Sequence, residues 1–334
     1  MEMLVSILMP FRDTAAYLPE CLDSIRNQGY EFWELIAVDD HSSDESRHIL
    51  EEYALKDARI RIASNDGAGI IPALRKSYSL SKGQVITRMD SDDRMSVDRL
   101  EEMVGQLRDC GAGHIALGQV RYFSDRGISD GYARYERWLN RLIAKGTNFS
   151  EIYKECVIPS PCWMVFREDL EASGAFFPNR YPEDYDLCFR FYEAGLKCIS
   201  TPKLLHYWRD YDQRTSRTSE HYAQNYFLEI KLYYFLKLDR DASRAVVIWG
   251  AGSKGKTISK MLKDQEQAFH WLCDNPKKIG KRIYGVSLEH YTLLGQLEDS
   301  QSIVTVANSE AQKEIRDYLD SNGQQEGIDY FFFC

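Results

Sequence analysis

A repeated unit in the first ninety residues constrains this chain more than any other feature. A short apolar run is followed by polar residues, and these are followed by a segment with helical periodicity. The apolar runs are Val5 to Met9, Leu35 to Val38 and Val85 to Thr87, with a shorter run at Ile60 to Ile62. Helical spacing occurs between them, in residues 15–27, 46–53 and 71–80. This βαβα order predicts an α/β fold with a mostly parallel sheet flanked by helices on both faces.

Polar clusters close three of these predicted strands. Pro10 to Asp13 follows the first, Asp39 to Asp44 follows the second, and Asp90 to Asp93 follows the third. Because ligands of parallel sheets bind outside the carboxyl ends of the strands, we expect the three clusters at one edge. Polar turns that cap the next helix would give the same pattern, and this interpretation stays open on the residues alone.

The third cluster carries three carboxylates, on Asp90, Asp92 and Asp93, within four residues. Like charges a few ångströms apart repel by about 4 kcal/mol per pair at an effective dielectric constant near 20, so a cation is needed to hold them together. Carboxylate oxygens suit Mn²⁺ or Mg²⁺, and Mg²⁺ usually takes its other ligands from phosphates and water. The cluster therefore predicts a metal and diphosphate site, while Asp39 and Asp40 are available to a nucleobase or ribose.

Composition excludes several classes of function. The chain has 334 residues, 44% apolar and 28% charged, which is ordinary for a globular protein with two domains. Its net charge of -9 argues against a nucleic-acid binder, which needs a basic surface. Eight cysteines without CxxC spacing predict the reduced thiols of a cytoplasmic protein, and no apolar run approaches the ~20 residues of a transmembrane helix. Peripheral association with the inner face of a membrane stays open.

In this order, the three clusters resemble the successive signatures of family 2 glycosyltransferases with the GT-A fold, over roughly Met3 to Ser216. The resemblance implies a nucleotide-diphosphate-sugar donor, with uridine as the expected base, and inversion at the anomeric carbon. It places the acidic pair of the second cluster on the base and ribose. The first Asp of the third cluster falls near the ribose or phosphates, and Asp92 falls on a divalent metal. The matching donor-site positions are Pro10, Arg12, Asp39, Asp40, Asp90 and Asp92.

An inverting transfer also needs a base that removes the proton of the acceptor hydroxyl. The stretch Tyr181 to Arg190 begins a helical segment and resembles the Glu-Asp signature of the family, in which the Asp is the catalytic base. The resemblance assigns that role to Asp184, with Glu183 orienting the acceptor or tuning the site. An acidic first turn, favoured by the helix dipole, is the structural alternative.

Later in the chain, Leu204 to Ser216 resembles the family segment that closes over the donor phosphates. Arg209, or Arg214 and Arg217, would clamp a phosphate through charge-assisted hydrogen bonds. The family often carries a His two residues after the Arg, whereas this chain has Tyr211 there. The loop therefore departs from the family pattern at one position.

The last third of the chain starts a new pattern. His221 to Leu238 has amphipathic helical spacing, for which packing between domains is the default and a homodimer or membrane contact stays open. Ala245 to Trp249 is a predicted strand, followed by the glycines of a dinucleotide-binding fingerprint. The tail resembles small Rossmann-like modules of bacterial polysaccharide-synthesis enzymes, which either bind a nucleotide or support the catalytic domain. The candidate second nucleotide site consists of Gly250, Gly252, Gly255 and Asp274.

These interpretations give a GT-A catalytic domain at 1–218, a linking helix at 219–242 and a small Rossmann-like α/β domain at 243–334. The predicted enzyme is a metal-dependent hexosyltransferase. It uses a nucleotide-sugar donor and a hydroxyl of a glycan, lipid-linked or small acceptor, in bacterial surface polysaccharide or glycoconjugate synthesis. A nucleotidyltransferase is the enzymatic alternative, but it usually needs a basic Gly-rich loop near the first strand, which this chain lacks. For a non-enzymatic nucleotide-sensing scaffold, the acidic clusters would have no evident use.

Overall fold

The computed structural model describes residues 2–212, 214, 226–297 and 299–334. The chain divides into two compact units, which we call the N-terminal unit (Met1–Phe149 with Val157–Thr218) and the C-terminal unit (Ser150–Cys156 with Ser219–Cys334). The short segment 150–156 thus groups with the C-terminal unit, whereas the sequence places it in the first domain. Arg217 and the start of the helix predicted from His221 lie outside the described residues.

The N-terminal unit alternates strands and helices as the hydrophobic pattern predicts. Its strands are β1 (Val5–Phe11), β2 (Trp33–Asp39), β3 (Ile60–Ser64), β4 (Val85–Arg88), β5 (Arg94–Met95), β6 (His114–Leu117), β7 (Gln119–Phe123), β8 (Trp163–Phe166), β9 (Lys197–Cys198) and β10 (Leu204–Arg209). Its helices are α1 (Leu18–Arg26), α2 (Ser46–Lys56), α3 (Ile70–Leu80), α4 (Arg99–Cys110), α5 (Asp130–Lys145), α6 (Arg167–Ala172) and α7 (Glu183–Glu193). A 3₁₀ turn covers Asn148–Glu151.

The main sheet has the strand order β3-β2-β1-β4-β8-β6-β9. Strands β1 to β4 are mutually parallel where they pair, and β8 lies antiparallel between β4 and β6. Phe11 pairs with Asp39, and Asp39 pairs with Ser64, so the carboxyl ends of three strands are level at one edge. The predicted α/β fold with a mostly parallel sheet is therefore confirmed, and the sheet edge gathers the polar clusters.

Burial of the apolar runs explains why these strands lie in the centre of the sheet. All seven residues of β1 and all seven of β2 are buried. Helix α1 covers the sheet with Leu18, Leu22 and Ile25, each 0% exposed and spaced three or four residues apart. Full burial of one such side chain contributes roughly 1.5–3 kcal/mol to the free energy of unfolding. The packed core therefore holds the strands in register, and with them the edge at which the polar residues lie.

A second, three-stranded sheet with the order β5-β10-β7 was not predicted from the sequence. Strand β5 follows the third acidic cluster directly, and β10 pairs antiparallel with it through His206 and Met95. On its other side β10 runs parallel to β7. The acidic cluster is therefore the connection between the main sheet and the second sheet.

The C-terminal unit contains another mostly parallel sheet, of order β13-β14-β12-β11-β15-β16. Its strands are β11 (Ala245–Trp249), β12 (His270–Cys273), β13 (Arg282–Ile283), β14 (Val286–His290), β15 (Ser300–Val304) and β16 (Tyr330–Phe332), of which β13 is antiparallel to its neighbour. The helices are α8 (Tyr226–Tyr234), α9 (Ser253–Asp264) and α10 (Ser309–Ser321), with a 3₁₀ turn at Tyr291–Gln296. Its core includes Val247, Leu272, Val304 and Leu319, all 0% exposed.

The described part of the predicted amphipathic helix begins at Tyr226 and passes into a π-helical turn at Phe235–Asp239. Segment 150–156 is fixed to this unit by the ring of Tyr153, which stacks on Phe333 at 5.2 Å. Lys231 adds a partly buried hydrogen bond from its Nζ to the carbonyl oxygen of Lys154, at 2.8 Å. Across the described ranges, we find no helix with the length and apolar character needed to cross a membrane.

Candidate active site

The end of β2 fixes the loop that follows β3. Asp39 and Asp40 are each 7% exposed. The carboxylate of Asp40 accepts hydrogen bonds from the backbone N–H of Gly69 at 2.9 Å and from Nδ2 of Asn65 at 2.6 Å. Gly69 has φ 91°, and a Cβ at this position would lie 3.2 Å from the hydroxyl of Tyr181. The acidic end of β2 thus holds a glycine turn at the same edge.

Asp39 is held in a different way from its neighbour. Its carboxylate accepts a hydrogen bond from the N–H of Ser42 at 2.9 Å and lies 3.5 Å from Nη1 of Arg47. Arg12, whose side chain is 60% exposed, extends over the edge to within 3.9 Å of Asp40. Pro10 instead lies inside β1, paired with Val38. Both arginines are accessible at this edge, and Arg12 is more exposed than Arg47, whose side chain is 44% exposed.

The third cluster is a turn that carries excess negative charge. Asp93 is 1% exposed and Asp92 is partly buried. Burial raises the pKa of Asp92 to about 7, and the carboxylates of Asp93 and Asp90 add to the rise. The hydroxyl of Tyr211, at the position where the family often has His, donates a hydrogen bond to Oδ2 of Asp92 at 2.9 Å. Additional positive charge beside Asp92 would stabilise its ionised form.

Asp93 belongs to a buried network that anchors the turn. Nη1 of Arg99 lies 3.0 Å from Nδ1 of His206, and Nε2 of His206 lies 2.9 Å from Oδ2 of Asp93. Because a guanidinium only donates, Nδ1 of His206 is the acceptor and the ring proton is on Nε2, which donates to Asp93. Burial lowers the pKa of His206 well below its usual value, and the charge of Arg99 lowers it further. His206 is therefore a neutral core residue that fixes β10 to the acidic turn.

Arg209 is engaged with the turn itself. Its backbone N–H donates to Oδ1 of Asp93 and its Nε donates to the carbonyl oxygen of Asp92, each at 2.7 Å. The guanidinium also forms an ion pair with Glu20 and lies over the ring of Tyr17, 4.7 Å from its centre. The structure thus gives Arg209 a role in shaping the turn, and a phosphate contact by this residue stays a prediction.

Arg214 also faces the acidic turn. Burial lowers its pKa, but Tyr122, Asp93 and Asp92 together raise it above the usual value. Its guanidinium lies 5.0 Å from the centre of the Trp208 ring. The turn is therefore bordered by two arginines as well as by carboxylates.

The Glu-Asp pair of α7 lies at the same edge as the acidic turn. Arg88, the last residue of β4, donates from Nε to Asp90 Oδ1 at 2.9 Å and from Nη1 to Glu183 Oε1 at 3.0 Å. Burial raises the pKa of Asp184 to about 7, and Glu183 adds to the rise, while Arg88 opposes it. A carboxylate of this pKa can accept a proton near neutral pH. The structure therefore brings together two acidic motifs that lie far apart in the sequence.

The donor set at the turn fits a hard divalent cation that is shared with a phosphate ligand. Within the described ranges, no group of three or more His, Cys, Asp or Glu side chains is arranged to hold a metal by itself. Asp92 offers a carboxylate oxygen in a partly buried position, where burial and the neighbouring carboxylates outweigh the charge of Arg214. Mg²⁺ and similar ions commonly use one or two carboxylates and complete their coordination with phosphate oxygens and water. Asp92 would hold such an ion together with a bound diphosphate.

Sequence reasoning missed three residues at this edge. Asn65 follows β3, and the strand-end rule that found the other clusters would also have found it. Arg88 is a charged residue at the end of an otherwise uncharged strand, which is a signal that the acidic cluster next to it obscured. Arg99 lies on α4 and is 0% exposed, and no local pattern marks it.

The predicted second site lies at the corresponding edge of the C-terminal sheet. Gly250 has φ 119°, and a Cβ on Gly255 would lie 2.0 Å from the carbonyl oxygen of Gly250. Packing therefore accounts for both glycines. Gly252 caps α9, and a Cβ added to it would have no neighbour within 4 Å, while Asp274 is exposed after β12. Of the four predicted residues, only Gly252 and Asp274 face open space.

Comparison with curated proteins gives relatives that are described as glycosyltransferases. The chain is 29% identical over 222 residues to the putative glycosyltransferase EpsH of Bacillus subtilis, covering 61% of this chain and 60% of EpsH. It is 34% identical over 104 residues to TuaG of the same species, a putative teichuronic acid biosynthesis glycosyltransferase, covering 30% of this chain and 40% of TuaG. The chain thus spans less than two thirds of the length of these relatives.

Comparison with solved structures shows the fold. Staphylococcus aureus TarS 1-349 in complex with UDP-GlcNAc matches with a TM-score of 0.54 and 17% identity, over 72% of this chain and 69% of TarS 1-349. The mannosyltransferase PcManGT from Pyrobaculum calidifontis, in complex with GDP-Man and Mn2+, matches with a TM-score of 0.53 and 19% identity, over 72% of this chain and 66% of PcManGT. These matches confirm the predicted GT-A fold.

The family itself is shown by the sequence. The model of the family described as "Glycosyl transferase family 2" matches residues 6–174, which is just over half of the chain. The matched range includes all three strand-end clusters and ends before the Glu-Asp pair of α7. The chain belongs to glycosyl transferase family 2.

Proposed function

We propose that this protein transfers a sugar, with inversion, from a nucleotide-diphosphate sugar to an acceptor hydroxyl in a metal-dependent reaction. The observation that carries the proposal is the joining of the acidic turn to the Glu-Asp pair through Arg88, with Asp92 and Asp184 both raised in pKa. The carboxylates of the acidic turn suit a donor with its cation, and the Glu-Asp pair suits an incoming alcohol. The two sets lie at one edge of the sheet.

The donor half is formed by the strand ends. Asp39 and Asp40 would accept hydrogen bonds from the base and ribose, and the exposed Arg12 beside them adds a cation near the nucleotide. Asp90 would lie near the ribose or phosphates, with Pro10 and Arg209 in the same donor site. Two solved structures of the same fold are complexes with nucleotide sugars, one with a uridine donor and one with a guanosine donor, which supports this donor class. Uridine remains our proposal for the base.

The acceptor half is Asp184 with Glu183 beside it. Asp184 would take the proton from the acceptor hydroxyl as that oxygen forms a bond to the anomeric carbon. The bond from the anomeric carbon to the diphosphate oxygen breaks, and its electron pair leaves with the nucleoside diphosphate. A divalent ion on Asp92, when bound, would act as a Lewis acid for the leaving charge. Attack and departure on opposite faces give inversion.

The expected setting is bacterial surface polysaccharide or glycoconjugate synthesis, with a glycan or lipid-linked acceptor. The similarity to TuaG, whose name refers to teichuronic acid biosynthesis, supports the polysaccharide setting. Cytoplasmic location, association with the inner face of a membrane, a homodimer and nucleotide binding by the C-terminal unit remain predictions.

The test is release of UDP or GDP from a panel of nucleotide sugars, each with Mn²⁺, with Mg²⁺ and with EDTA. We expect release from one donor class that depends on the metal and rises when oligosaccharide acceptors are added. The nucleotidyltransferase alternative predicts pyrophosphate release from UTP and a sugar phosphate instead. Absence of nucleotide release from every donor, with the protein folded, would overturn the proposal.

A further inference from the structure

Arg88 occupies a position between two motifs that the sequence separates by almost a hundred residues. It is 5% exposed, and its guanidinium contacts one carboxylate from each motif. Nε donates to Oδ1 of Asp90 at 2.9 Å, and Nη1 donates to Oε1 of Glu183 at 3.0 Å. Within the described residues, the carboxylates of Asp90 and Glu183 make no other side-chain hydrogen bond. Each is therefore oriented by this one cation.

The electrostatic surroundings of Arg88 explain why a cation is needed there. Burial alone lowers the pKa of Arg88, but Asp90, Glu183 and Asp184 raise it above its usual value, so it stays charged. Three carboxylates that share a partly buried position would repel each other and protonate without such a partner. The fixed fork of a guanidinium can bind two carboxylates at once, whereas a lysine ammonium is a point charge on a flexible stem.

We propose that Arg88 is a positioning residue, which ties the donor-side carboxylate of Asp90 to the Glu183-Asp184 pair and so sets the place and the ionisation of the base. The proposal rests on the proposed function, because it assigns the base to Asp184. Arg88 itself contacts no reacting atom. Its backbone is fixed by pairing with Leu8 in the sheet, so the guanidinium starts from a rigid strand end.

Several groups face Asp184, so a test must separate the effect of Arg88 on its pKa from the effects of the others. Burial and Glu183 raise its pKa, Arg88 and the N–H of Tyr185 lower it, and Asp90 raises it. Loss of Arg88 is thus expected to move the titration midpoint of Asp184 upward by about one pH unit or more. At pH 7 the ionised fraction of the base, and with it the rate of transfer, would fall roughly fivefold.

The experiment is a titration of the ligand-free protein by NMR, with ¹³C-carboxyl-labelled aspartate and Asp184→Asn to identify the Asp184 signal. Arg88→Met and Arg88→Lys are each compared with wild type. Arg88→Lys keeps the positive charge but lacks the planar guanidinium that binds two carboxylates. Because Arg88→Met leaves two partly buried carboxylates without their cation and can fail to fold, Arg88→Met with Glu183→Gln is compared with Glu183→Gln alone. In that pair of variants, Arg88 is the sole difference.

Arg244→Met is the matched control, because Arg244 also bridges two carboxylates, those of Asp299 and Asp329, each at 2.6 Å, in the C-terminal unit. We expect the Asp184 midpoint to rise in both Arg88→Met backgrounds, to shift less in Arg88→Lys, and to be unchanged in Arg244→Met. An equal midpoint with and without Arg88 in the Glu183→Gln background would overturn the proposal. A panel of donors that gives no UDP or GDP would refute the transfer reaction and leave this titration result standing.

Discussion

The two units of this protein place polar residues at the same topological position but differ in the charge that is buried there. In both, a mostly parallel sheet presents its carboxyl edge, where ligands of such sheets bind. In the N-terminal unit that edge carries Asp93 at 1% exposure and Asp92 with a raised pKa. In the C-terminal unit the corresponding acid, Asp274, is exposed. Topology therefore indicates where a site would be, and clustered carboxylates with a raised pKa indicate which edge favours a cation and a ligand.

The largest expected effect is on the rate of transfer, and it should follow from loss of an acid at the N-terminal edge but not at the C-terminal edge. Asp184→Asn removes the proposed base, so transfer should fall by roughly 10²- to 10⁴-fold while UDP binding is retained. Asp274→Asn, at the C-terminal edge, should leave the rate unchanged. The rate is measured by nucleotide release and the affinity by calorimetry with UDP. Near-normal turnover of Asp184→Asn would remove this residue from its role.

The next effect concerns the cation. Asp92→Asn should weaken Mn²⁺-dependent UDP binding on the order of 10- to 100-fold, as for the loss of groups that hold a metal in place. With EDTA present, the variant and the wild type should bind UDP equally weakly. Asp66→Asn is the control, because Asp66 lies in the loop at the same edge with a side chain 76% exposed. If UDP affinity is the same with and without EDTA in the wild type, the metal assignment is wrong.

The pH dependence of transfer tests the environment of the base. A base with a pKa of about 7 is ionised above that pH, so the rate should rise through pH 7 and fall to about one tenth of its maximum at pH 6. Glu183 raises the pKa of Asp184, so Glu183→Gln should move this limb to lower pH. The measurement is the rate of nucleotide release from pH 5 to 9, each variant normalised to its own maximum. If the pH at which the rate rises is the same in Glu183→Gln and wild type, Glu183 does not act on the base.

Stability should depend on Gly255 in the first turn of α9. A Cβ on Gly255 would meet the carbonyl oxygen of Gly250 at 2.0 Å, so Gly255→Ala should destabilise by about 1–3 kcal/mol, as overpacking does. Helix propensity alone predicts the opposite result, because Ala stabilises a helix more than Gly does. Urea unfolding followed by circular dichroism measures it, and a more stable Gly255→Ala protein would contradict the packing argument.

The sequence predicted those parts of the fold and site that depend on local pattern. The apolar runs that became β1, β2 and β4 are continuous and short, and each ends in a polar cluster, so their positions and their common edge followed from periodicity and one topological rule. The helix at Glu183–Glu193 was likewise visible from its spacing and its terminal glycine.

What the sequence could not give were pairings across the chain. The hydrogen bond from Arg88 to Glu183 joins residues 95 positions apart, and no periodicity relates them. The second sheet is similar, because β5 has two residues and no hydrophobic pattern of its own. No local pattern marks His206, and its place between Arg99 and Asp93 exists only in the folded chain.

The smallest expected effect on stability is that of Gly252→Ala, and the same variant tests whether the C-terminal edge binds a nucleotide. Gly252 has φ -78° and nothing within 4 Å of an added Cβ, so Gly252→Ala should cost no more than about 1 kcal/mol, the difference between Gly and Ala at a helix N-cap. If a nucleotide phosphate approaches the start of α9, the added methyl group would lie in its path and should abolish binding. Calorimetry with NAD and with UDP-sugars, in an Asp92→Asn background that weakens the N-terminal site, separates the two units. Binding that survives Gly252→Ala would place the nucleotide elsewhere, and no heat in either protein would leave this edge a packing feature, since Gly250 and Gly255 are already required by the fold.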